Sequence, residues 1–98
     1  MSENLKEKLS EEIDKASWSM LEDHYKRGAL FLVEGLDLAE AGAAVAADEA
    51  GKVKLWLDNK ELLKVDENLK EAFSKNPNDK NFKFIIVQPY VFIQVVGQ

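Results

Sequence analysis

The chain has 98 residues, a net charge of −5, one histidine and no cysteine. That length is one domain, 1–98. Without cysteine there is no disulfide, no thiolate chemistry and no Cys-ligated zinc or iron–sulfur site. One histidine cannot build a multi-histidine metal site within the chain.

Eighteen acidic against 13 basic residues disfavour phosphate backbones and anionic membranes as partners. The acidity is spread along the chain, with no acidic or basic tail. The opening Met1-Ser2-Glu3-Asn4-Leu5-Lys6 lacks the apolar stretch of a secretory signal. No apolar run reaches the roughly 20 residues of a membrane span. We therefore expect a cytoplasmic protein with no membrane partner.

In chain order, Leu5, Leu9 and Ile13 recur every fourth residue and predict an amphipathic helix over Glu3–Ala16. Ser19 with Glu22 fits a capping box that starts a second, short helix carrying Met20, Leu21 and Tyr25. Gly28 suits the left-handed residue that ends it. Ala29–Val33 is a short continuous apolar run, the pattern of a buried strand. Asp37 is a strong N-cap, with Glu40 at the third helical position and Leu36 before the cap. The helix it opens runs through Ala47 and is faced with Ala and Gly. Gly42 inside it costs up to ~1 kcal/mol relative to Ala, which implies close packing.

After the turn Asp48–Gly51, Val53, Trp56 and Leu57 mark a further helix ending at Asn59. Leu62–Val65 reads as a short strand. Asp66 caps a helix with Leu69, Ala72 and Phe73 inward, and Asn76-Pro77-Asn78-Asp79 stops it. The run Phe82–Val96 reads as two strands separated by a turn at Pro89. Both alternating sets are apolar, so both faces of this sheet must be covered. Helical stripes from Leu5, Leu9 and Ile13 with Leu69 and Phe73 are candidates for one face. The Ala-rich helix with Val53, Trp56 and Leu57 is the candidate for the other.

The order of elements is winged-helix-like, with Asp37–Ala47 and Ala50–Asn59 as the helix-turn-helix. The candidate partner or nucleic-acid face is then Lys52, Lys54 and Lys60. Asp58 and Glu61 leave that element nearly neutral, and it carries no Arg, Gln or Ser to read base edges. Asp37, Glu40, Asp48 and Glu49 raise a carboxylate metal site, but the first two have capping work and the others flank a turn. His24 has no nucleophile or base arrangement around it in sequence. Trp18 and Trp56 suit packing better than nucleotide stacking, since no basic groove accompanies them. No phosphate loop or nucleophile elbow is present.

Trp18 with Leu21, Gly28, Leu36-Asp37-Leu38, Ala47-Asp48, Trp56-Leu57, Val87-Gln88-Pro89-Tyr90-Val91 and Gln94 together resemble a group of small bacterial proteins, domain of unknown function 2288. The resemblance covers nearly the whole chain. Tyr90 departs from it, since a Trp is expected after the Pro. It implies a bacterial, cytoplasmic protein and brings no activity, cofactor, metal or catalytic residue.

These observations together imply an α+β fold: a small three-stranded, mainly antiparallel sheet with about five helices. The expected function is a protein-interaction or regulatory binding module, not an enzyme, with no cofactor. The alternatives are a winged helix-turn-helix nucleic-acid binder and, third, a small enzyme or ligand-binding protein. A homodimer is expected, because the C-terminal strand ending at Val96-Gly97 reads as an unprotected sheet edge and its faces are apolar.

Overall fold

A computed structural model describes residues 2–75 and 82–95, with residues 2–6 described by their backbone alone. The elements are α1 (Ser2–Glu11), β1 (Asp14–Ala16), α2 (Trp18–Lys26), β2 (Leu30–Val33) and α3 (Leu38–Ala46). They continue with α4 (Ala50–Asp58), β3 (Leu62–Lys64), α5 (Glu67–Phe73), β4 (Phe82–Val87) and β5 (Tyr90–Val95).

The five strands form one sheet in the order β1-β4-β5-β2-β3. This corrects the three-stranded expectation. One added strand, β3, is the short strand expected at Leu62–Val65, now placed in the sheet, and the other, β1, has three residues, too few to show a period of two. β1 lies within the stretch expected to be helical: α1 stops at Glu11, and Asp14–Ala16 pairs antiparallel with Phe84–Phe82. β4 and β5 form the antiparallel hairpin expected around Pro89, whose peptide bond with Gln88 is cis. β2 joins β5 in parallel, Leu30–Leu32 beside Val91–Ile93, so the apolar run in the first half does pair with the C-terminal strands. β5 is therefore an inner strand and not the expected edge. The edges are β1 and β3, both short and each carrying a lysine, Lys15 or Lys64. Short, charged edges resist pairing with other chains.

Both faces of the sheet are covered. On one face Val33, Leu62, Ile85 and Phe92 pack with Leu9 of α1, with Leu38, Ala41, Ala43 and Ala44 of α3, and with Trp56 of α4. On the other, Leu30, Leu32, Phe82, Val91 and Ile93 pack with Trp18 and Leu21 of α2, and Leu69 and Phe73 of α5 join them. The expected division is thus corrected at α1, which lies with the Ala-rich helix and not with α5. Alternation explains the two cores: Ile85 and Phe92 are register partners facing one way, and Phe84 and Ile93 face the other.

The caps fix where the helices begin and end. Asp37 accepts from the Glu40 N–H at 3.2 Å, and Asp66 from the Leu69 N–H at 2.9 Å. Gly28 sits at φ +73°, and the N–H groups of Gly28 and Ala29 close back on Tyr25 and His24 as a Schellman motif. α2 starts two residues early: Ser17 is its N-cap without a side-chain cap bond, and Ser19 lies inside, its Oγ 2.9 Å from that of Ser17. The expected helix stop at 76–79 lies outside the described residues, as does the strand end at 96–97. Trp18 packs between Tyr25, Phe73 and Phe82 at ring distances of 5.8–6.5 Å, and its buried Nε1–H has no partner among the described residues.

Candidate functional site

A groove of about 360 Å³ opens where the α3–α4 turn approaches the sheet. It has a volume within the range of small binding pockets, roughly 300–1,000 Å³. Its floor comes from Phe31 of β2 and from Tyr90 and Phe92 of β5, and its helical wall from Val45, Val53 and Leu57. The register brings the floor together: Phe31 lies beside Phe92, and Tyr90 stands two residues before Phe92 on the same face. The Phe31 and Tyr90 rings meet edge-on at 5.6 Å and 87°. Such aromatic pairs are worth about 0.5–1.5 kcal/mol beyond their buried area.

The lip is charged. Asp48 and Glu49 stand at the α3–α4 turn, and Lys54 lines the groove from α4. The turn is another Schellman closure, with the Asp48 N–H bonded to Val45 and the Glu49 N–H to Ala44. Asp48 takes the left-handed residue at φ +59°. Glu49 is the N-cap of α4 but makes no side-chain cap bond, and its carboxylate instead lies 3.7 Å from Lys52. Asp48 has no ion pair among the described residues.

Of the three lysines of the candidate face, two lie on α4 and one follows it. Lys52 and Lys54 are two positions apart on α4, hence about 200° apart around the axis. Lys52 is tied to Glu49, Lys54 turns to the groove, and Lys60 follows the helix at φ +61°. His24 is half-buried on α2, which covers the other face of the sheet. Of the four carboxylates, Asp37 caps α3 as expected, while Asp48 and Glu49 line the groove. Among the described residues no three His, Asp or Glu side chains gather in a metal-binding group. Phe31 and Tyr90 were legible only as strand residues, because nothing local in sequence tells a core aromatic from a groove floor. The departure at Tyr90 was the one signal available, and that residue is 40 % exposed at the groove.

Fold and groove define the class: a small α+β domain with helices on both faces of one sheet and an apolar, charged-lipped groove. Within that class, the chain belongs to the family described as protein of unknown function (DUF2288), whose model matches residues 4–95. It is similar to the solution structure of PA1075 from Pseudomonas aeruginosa, with 35% identity and a TM-score of 0.82. The likeness covers 97% of this chain and 87% of that one. No curated protein matches the chain. Among the described residues no helix is long and apolar enough to cross a membrane.

Proposed function

We propose that this chain is a single-domain, cytoplasmic protein-interaction module whose contact surface is the groove under the α3–α4 turn. The observation that carries this is the groove itself: an aromatic floor at the surface with half-exposed Tyr90, and half-exposed Leu57 on its helical wall. Exposed apolar groups rimmed by charge mark contact sites. For an enzyme reading the groove offers the carboxylates of Asp48 and Glu49 and the Lys54 amine, but no Ser, Thr, Cys or His lines it and no three metal-ligating side chains gather there among the described residues. The nucleic-acid reading through Lys52, Lys54 and Lys60 has less support, since the lysines diverge around α4 and the chain is net acidic. A homodimer loses the two arguments that favoured it, because β5 is an inner strand and both sheet faces carry helices.

Capture of partners from a bacterial lysate by the wild type, by Tyr90→Lys and by Ile86→Lys tests the proposal. Ile86 is exposed on the opposite face, so that substitution controls for added surface charge. A partner held by wild type and Ile86→Lys but lost from Tyr90→Lys is expected. Identical partner sets for all three would end the proposal.

A further inference from the structure

We infer that the groove takes a segment of another protein that presents a basic side chain next to a large apolar one; this rests on the interaction-module reading. The floor of Phe31, Tyr90 and Phe92 is apolar and open on one side, which suits an inserted side chain on a longer segment. Its edges are not neutral. The α3–α4 turn supplies Asp48 and Glu49 at one lip, and Lys54 stands on α4. Glu49 is engaged by Lys52 at 3.7 Å, whereas Asp48 has no ion pair among the described residues. An incoming Arg or Lys finds a carboxylate there, and aromatic faces below can hold its methylene stem and its charge.

Lys54 gives the segment a direction. A basic group is favoured beside Asp48 and disfavoured beside Lys54, and charge patterns of this kind fix register and exclude wrong partners. The net charge of −5 acts in the same sense at longer range, raising the encounter rate with basic partners at low salt. A second copy of this chain brings the same net charge, so it is the less favoured occupant.

The test uses the full chain, isotope-labelled, and three short synthetic peptides that share a central Trp-Leu pair flanked by arginine, alanine or glutamate. The arginine peptide is expected to shift amide resonances at 44–54 and 90–92. It should bind about tenfold more tightly than the glutamate peptide at low salt, with the ratio shrinking as salt screens the pair. Asp48→Asn keeps a residue that tolerates the left-handed turn. It should lower the arginine preference about fivefold, the size of one partly screened ion pair. Equal affinities for the three peptides at the groove would overturn the charge assignment and leave the interaction module standing. No shift at the groove with any peptide would overturn the inference, and the Tyr90→Lys capture experiment then judges the module separately. A dimer that forms in wild type and is abolished by Tyr90→Lys would assign the groove to a second copy instead.

Discussion

Gly42 tests whether a missing side chain sets the distance between two layers. It is buried in α3 and faces Ile85 and Val87 of β4. A Cβ there would lie 3.4 Å from Val87 Cγ2 and 3.6–3.7 Å from Ile85, which is ordinary contact rather than collision. The glycine is therefore not required for space, and it still carries the helix penalty of about 1 kcal/mol relative to alanine. Gly42→Ala should raise the urea midpoint by an amount equivalent to up to ~1 kcal/mol, with an unchanged denaturant slope. Gly42→Leu should lower it, since overpacking a filled core costs about 1–3 kcal/mol. Loss of stability in Gly42→Ala would mean that α3 and β4 sit closer than described. Elsewhere the same scale is governed by polar partners. Gln94 donates its side-chain N–H to the Leu36 carbonyl, tying the far end of β5 to the loop that opens α3.

At the scale of elements, helix ends and sheet edges decide the path of the chain. α4 ends with Lys60 in the left-handed conformation, and the Lys60 and Glu61 N–H groups close on Leu57 and Trp56. A side chain there is strained by roughly 1 kcal/mol where glycine is not. Lys60→Gly should stabilise the protein by about 0.5–1 kcal/mol, read as a melting temperature higher by several degrees for a chain of this size. No change, or a fall, would mean that Lys60 makes contacts that offset its backbone strain. The Schellman closures at Gly28, Asp48 and Lys60 have one geometry and three residue types. Only the glycine announces itself in sequence. At the edges, β1 and β3 end the sheet after three residues each, and Lys15 and Lys64 lie on them.

At the scale of the molecule, the sheet is inside and the chain is acidic outside. Two cores, one under α1, α3 and α4 and the other under α2 and α5, use up the apolar faces of β4 and β5. What remains exposed is scattered over α2, α4 and the ends of β4 and β5, as at Met20, Leu55, Ile86 and Val95. Single apolar side chains of this kind are common on soluble monomers. Sedimentation should therefore give one 11.1 kDa species across a concentration series. The series should reach ~100 μM, where a homodimer with a dissociation constant of ~10 μM would dominate. A dimer in that range would contradict the covered faces and protected edges.

Much of this was written in local sequence. Apolar runs marked β2, β4 and β5, Asp37 and Asp66 marked their helices, and Gly28 marked a helix end. Each follows from a preference of one residue or a short period, which acts without distant partners. The doubly apolar strands also required cover on both faces. Tertiary structure alone decided the rest. β1 is too short to carry a pattern and exists because β4 offers it hydrogen bonds, and β3, though legible as a short strand, takes its place at the edge only because β2 pairs with it. The parallel pairing of β2 with β5 turns β5 from an edge into an inner strand, and no residue of β5 encodes which neighbour arrives. The groove needs Phe31 and Tyr90, 59 positions apart, beside a turn between them in sequence. Such a site comes from packing distant segments together, so its residues read as core until the fold sets them at the surface.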